Sequence, residues 1–127
     1  MPKIRDVMST ELVTVSPRAS VAEAAAIMSA RHVGSAIVLD DEEDAEALVG
    51  IFTERDILHA LASDFDAAAH AVAEWMSKDP ATIDAEASVT EALDRLLAGG
   101  FRHLPVTENG ALVGIISLRD LSRGNAD

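Results

Sequence analysis

The residues best equipped for chemistry are two short runs, Thr53-Glu-Arg-Asp56 and Ser117-Leu-Arg-Asp120, which each offer a hydroxyl, a guanidinium and a carboxylate. One reading of each run is local: Thr53 or Ser117 accepts a backbone N–H at a helix start, and the Asp three residues on favours the positive end of the helix dipole. The other reading is a ligand site. A carboxylate can grip a ribose diol through both oxygens, while hydroxyl, guanidinium and free helix N–H groups hold phosphate. The pattern occurs twice at equivalent positions, each time with an Arg, and that favours the ligand site over a cap alone. The set of groups fits a nucleotide.

Other chemistries find no carrier. The sequence lacks Gly-x-Gly-x-x-Gly, a phosphate-loop Gly-Lys-Ser/Thr, His-Glu-x-x-His and Gly-x-Ser-x-Gly, so an enzyme is not expected and no catalytic residue or catalytic cofactor is assigned. His32, His59, His70 and His103 show neither the i, i+4 helical pairing nor the acidic companions of a zinc site, and no metal is expected. Cysteine is absent, which removes thiolate chemistry and disulfides. The 22 acidic against 10 basic side chains give a net charge of −12, a surface that repels nucleic acid. Six of the acids fall between Asp40 and Glu46 and read as a solvated loop. No stretch supplies the roughly 20 apolar residues of a membrane helix, and Lys3 and Arg5 precede no signal-peptide core. The expected location is cytoplasmic.

The elements that must position the two runs emerge from an internal repeat. A shift of 68 residues lays Ile4, Asp6, Val7, Met8 and Ser9 over Val72, Glu74, Trp75, Met76 and Ser77, and Ser20, Val21 and Glu23 over Ser88, Val89 and Glu91. Beyond the acidic run the offset drops to 64, so Leu48-Val-Gly-Ile51 matches Leu112-Val-Gly-Ile115, and Arg55-Asp56 matches Arg119-Asp120. Each copy opens with a β-rich run, Leu12 to Val15 or Ala81 to Ile83. A Ser-x-x-Glu capping box at Ser20 or Ser88 then starts a helix with Val21, Ala24 and Met28, or Val89, Leu93 and Leu96, on one face. Two apolar strands follow, Ser35 to Leu39 with Leu48 to Phe52, and His103 to Thr107 with Leu112 to Ile116. In the second copy Asn109-Gly110 joins them as a hairpin turn. A closing helix starts near Thr53 or Ser117. The expectation is an α/β (α+β) fold of tandem β-α-β-β-α motifs with pseudo-twofold symmetry, motif 1 over 1–66 and motif 2 over 67–127, because a copy of about 60 residues buries too little surface alone.

Four segments carry a resemblance to a known family: Asp-Val-Met-Ser (6–9), Gly-Ile-Phe-Thr-Glu-Arg-Asp-Ile (50–57), Phe-Arg-His-Leu-Pro-Val (101–106) and Gly-Ile-Ile-Ser-Leu-Arg-Asp-Leu (114–121). From Ile4 to Ser122 the chain resembles cystathionine-β-synthase-type (CBS) domain pairs, or Bateman modules. The resemblance implies a disc-like homodimer of pairs that binds AMP, ADP, ATP, NAD(H) or S-adenosylmethionine in clefts between motifs and regulates another protein. It also implies the ligand contacts. One cleft joins Thr53, Arg55 and Asp56 to Pro80, Ala81, Arg102, His103 and Pro105. The other joins Ser117, Arg119 and Asp120 to Leu12, Val13, Val33, Gly34 and Ser35. Gly34 departs from the family's more usual basic residue, so phosphate should favour the cleft with Arg102 and His103, while a larger ligand such as NAD(H), or none, fits the other as well as AMP does.

The functional expectation is a regulatory module that binds adenosine-containing nucleotides, senses energy or redox state and acts in trans on an unnamed partner. The alternative is a structural or protein-interaction dimer module with unoccupied clefts.

Overall fold

The computed structural model describes residues 2–40 and 47–125, with side chains through Leu121. The acidic run expected as a loop falls, at 41–46, outside the described residues. The elements run α1 (Ile4–Val7), β1 (Thr14–Val15), α2 (Val21–Arg31), β2 (Ser35–Asp40), β3 (Ala47–Thr53), α3 (Glu54–Ser63), α4 (Val72–Trp75), β4 (Ser77–Lys78), β5 (Ile83–Asp84), α5 (Val89–Gly99), β6 (His103–Glu108), β7 (Ala111–Ser117) and α6 (Leu118–Asn125). The fold is mixed α+β, with sheets ordered β1-β2-β3-β4 and β5-β6-β7.

Local chemistry sets the element boundaries as expected. Ser20 and Ser88 accept the N–H of Glu23 and Glu91 and start α2 and α5. These helices bury Val21, Ala24 and Met28, and Val89, Ala92 and Leu96; Leu93, expected on that face, is only partly buried against the same core. Both end in a left-handed residue, Gly100 at φ 69° and His32 at φ 55°. Glycine adopts that conformation without cost, whereas a side chain is strained there. Asn109 and Gly110 both have positive φ, the conformation a tight hairpin turn demands. The hairpins β2-β3 and β6-β7 share one register, with Val38 opposite Gly50 and Val106 opposite Gly114, followed in each by a bulge.

The two compact units are not the two halves of the chain. One consists of Val13–Pro80; the other joins Met1–Leu12 to Ala81–Asp127. The opening segment of each repeat therefore packs with the body of the other. In the discontinuous unit the N–H groups of Ile4 and Arg5 donate to the carbonyls of Ala87 and Ala85 at 2.9 and 3.0 Å, and Ser9 bridges Ile115. In the continuous unit those of Val72 and Ala73 donate to Ala19 and Pro17 at 2.8 and 3.0 Å, and Ser77 pairs with Ile51. Ile4 and Val72 are each 0% exposed, one in a core with Val89, Leu104, Ile116 and Leu121, the other in a core with Val21, Val38 and Phe52.

Lys3 and Arg5 also pair with Glu86, at 2.7 and 3.0 Å, and Arg5 contacts Glu108. Exposed pairs of this kind contribute about 0–1 kcal/mol each, against about 1.5–3 kcal/mol for burying a large apolar side chain. Ile4 and Val72 decide where the segments dock.

Candidate functional site

In the continuous unit, β3 delivers Thr53 to the N-terminus of α3 as its cap. The Thr53 hydroxyl accepts the N–H of Asp56 at 3.3 Å; Asp56 Oδ2 accepts the Thr53 N–H at 2.8 Å and its hydroxyl at 3.1 Å. Hairpin register sets Ser35 opposite Thr53, and the Glu54 N–H donates to the Gly34 carbonyl at 3.0 Å. The start of β2 and the start of α3 thus form one surface. Thr53, Asp56, Val33, Gly34 and Ser35 are partly buried, Arg55 is exposed, Val13 lies in the core and Pro80 follows β4. At Gly34 a Cβ would meet Glu54 Oε1 at 2.8 Å, so the Glu54 carboxylate covers the glycine.

The discontinuous unit builds the same surface with other side chains. The Ser117 hydroxyl accepts the Asp120 N–H at 3.2 Å, while Asp120 Oδ2 accepts the Ser117 N–H and hydroxyl, both at 3.0 Å. His103 lies opposite Ser117, and Arg102 beside it is exposed. Arg102 holds the position of Gly34, and Leu118 that of Glu54. Arg119 is exposed, Leu12 and Ala81 are partly buried, and Pro105 is fully buried opposite Ile115.

The local reading and the ligand reading of the two runs are compatible in this geometry. Each cap engages the Asp through Oδ2, and that engagement holds the carboxylate in one rotamer. Ordering a side chain beforehand lowers what a ligand must offset on binding. The surfaces differ in electrostatics: one offers Arg102 and His103 beside Leu118, the other Gly34 and Ser35 beneath a carboxylate. That carboxylate is the feature the sequence analysis missed. The register of the β2-β3 hairpin was the signal that brings Glu54 to Gly34.

One expectation about the histidines needs correction. His70 does have acidic companions: its Nε2 lies 3.0 Å from Asp64 Oδ2 and its Nδ1 lies 3.4 Å from Glu74 Oε1, an i, i+4 neighbour. The Asp64 contact, joined by that with Glu74, holds the His70 pKa above the ordinary histidine value. His70 in turn holds Asp64 below the usual carboxylate range; for Glu74 the larger cause is the N–H of Ala71, at 2.7 Å, with His70 second.

Comparison with known proteins places these features. The CBS domain profile matches residues 4–63 and 72–126. The sequence is 40% identical to an uncharacterized protein of Acidianus ambivalens, over 98% of this chain and 74% of that one, and 36% identical to YlbB of Bacillus subtilis, over 96% and 81%. The fold matches a CBS-domain containing protein of Agrobacterium tumefaciens with TM-score 0.86 and 31% identity, over 98% of this chain and 99% of that one. It also matches CBSX2, a CBS-pair protein of Arabidopsis thaliana, in complex with AMP, with TM-score 0.77 and 26% identity over 99% and 97%. With two profile matches, a duplicated topology and relatives of this kind across nearly its full length, the chain belongs to the CBS domain family as a tandem pair.

Proposed function

We propose that the chain is a regulatory module that binds adenosine-containing nucleotides, AMP and ATP foremost, and reports them in trans to a separate protein. The observation that carries this reading is the duplicated cap: each unit presents a carboxylate fixed by a Ser/Thr hydroxyl and a backbone N–H at a helix start. The structural likeness to CBSX2, which was crystallised with AMP, supports the adenosine part. Asp56 and Asp120 take the ribose hydroxyls. Phosphate goes to Arg102 and His103 and avoids the surface at Gly34, where the Glu54 carboxylate opposes an anion. That second surface better suits S-adenosylmethionine, whose sulfonium is positive, than a phosphate-bearing ligand.

The functional unit is a homodimer. Leu58 on α3 is 67% exposed and Leu118 on α6 is 38% exposed, so both capped helices present apolar side chains that want cover.

Thermal unfolding with AMP, ATP, NADH and S-adenosylmethionine tests the proposal. A ligand that binds only the folded chain raises the midpoint, by about 2.7 kcal/mol of added stability at a hundredfold excess over Kd. Stabilisation by at least one adenosine compound, but not by the free base with phosphate, is the expected result. Failure of all four to move the midpoint overturns the nucleotide role and leaves the interaction module.

A further inference from the structure

The segment between α3 and α4 caps another helix. The first N–H groups of α2 have no partner inside the helix. Val21 donates its N–H to the carbonyl of His70 at 2.9 Å, Ala22 donates to Ala67 at 3.1 Å, and Glu23 uses the Ser20 hydroxyl at 3.0 Å. Two of the three are thus supplied by the 64–71 segment, which is folded on itself by the N–H of Asp66 donating to Asp64 Oδ1 and that of Ala69 donating to the Asp66 carbonyl.

One side chain fastens that segment at both ends. The His70 ring, 26% exposed, lies between Asp64, the residue that caps the C-terminus of α3, and Glu74 on α4. A neutral imidazole donates from one nitrogen only, and both partners here are acceptors, so only imidazolium satisfies the two together. The charged groups that reach the ring are Asp64, at the C-terminus of α3, and Glu74 on α4, both acidic; the basic Arg55 of α3 and Arg31 of α2 make no contact with it among the described residues. The repeat supplies a control. Pro2 holds the position of His70 in the other unit, and its carbonyl accepts the Val89 N–H at 3.3 Å without a ring that titrates.

We infer that His70 is a proton-operated latch: as imidazolium it bolts the 64–71 segment to α3 and α4, and so to the N-terminus of α2; as neutral imidazole it lets that segment open. The pKa of His70 is raised in the folded chain, so its support is complete below the unfolded value and is lost as pH rises through the folded one. Those of Asp64 and Glu74 are lowered, so theirs is present above the unfolded carboxylate values and is lost as pH falls through the folded ones. The latch is shut from weakly acidic pH up to the raised histidine value.

Amide hydrogen exchange on the full chain, corrected for the intrinsic pH dependence of exchange, reads the latch at about pH 6 and about pH 8.5, on either side of histidine titration. Protection at Val21, Ala22 and residues 67–71 should fall several-fold at the higher pH, while Val89 beside Pro2 stays unchanged. His70→Gln should show the low protection at both. Equal protection of Val21 and Ala22 at the two pH values, or a His70→Gln chain that keeps the wild-type dependence, overturns the latch. Should that variant fail to fold, an NMR titration of the wild-type His70 ring decides: a midpoint above about 6.5 supports the clamp and one at or below it refutes it.

Discussion

A single carboxylate, Asp56, is assigned two tasks in this chain. It completes the α3 capping box through Oδ2 and, as proposed, meets a ribose. Asp56→Ala should therefore lower stability by about 0.5–2 kcal/mol, the usual effect of losing such a cap, and weaken adenine-nucleotide binding by about 1.5–3 kcal/mol, the worth of a hydrogen bond to a charged group. Denaturation and calorimetry on the same preparation read the two effects apart. Wild-type affinity with the stability loss present would leave Asp56 as a cap alone. Arg102 and His103 make the complementary case. Their joint replacement by alanine should cost more affinity for ATP than for adenosine, because charge-assisted bonds are roughly twice as strong as neutral ones. Equal losses for the two ligands would move these residues from the phosphate to the fold. The net charge of −12 does not reverse this preference, since distant surface charges are screened beyond about 8 Å at physiological salt.

At the scale of elements, the glycines Gly50 and Gly114 mark where the exchanged opening segments cross the central hairpins. A Cβ at Gly114 would lie 2.6 Å from Met8 Sδ and 2.9 Å from the Ser9 carbonyl; at Gly50 the same distances fall to Met76 and Ser77. Methionine can swing aside, but the carbonyl is main chain held in a bridge to Ile115 or a pair with Ile51. Gly114→Ala should accordingly destabilise the chain by about 1–3 kcal/mol, as overpacking does, in chemical denaturation. Met8→Ala in the same chain should restore little of it. Such crossings were not legible in the sequence. Caps, the Asn-Gly turn and the apolar periods of α2, α5 and the hairpins are local signals, so the two-motif fold could be read from them. The one-turn helices α1 and α4 hold four residues each, too few to show a period, and their partners at Ala85, Ala87, Pro17 and Ala19 are distant in the chain. The candidate site was legible to the same degree. Its capped carboxylates follow from three-residue spacing, whereas the Glu54 carboxylate over Gly34 and the clamp on His70 depend on contacts across a hairpin and between helix ends.

For the molecule as a whole, the proposed homodimer is the quantity most open to test. Solution scattering should give the mass of two chains, and Leu58→Glu should shift the equilibrium toward one, since it replaces apolar area worth about 1.5–3 kcal/mol when buried with a charge. A wild-type monomer at high concentration would refute the dimer. The exchange of opening segments has a further consequence, for the order in which the chain is made. Domains generally fold as units during synthesis, the N-terminal ones first. Val13–Pro80 is contiguous and can close once Pro80 has left the ribosome, but Ile4 finds its core only after Ile116 and Leu121 have emerged. Through that interval Ile4 waits with its apolar side chain uncovered, available to a chaperone, while residues made after it have already folded.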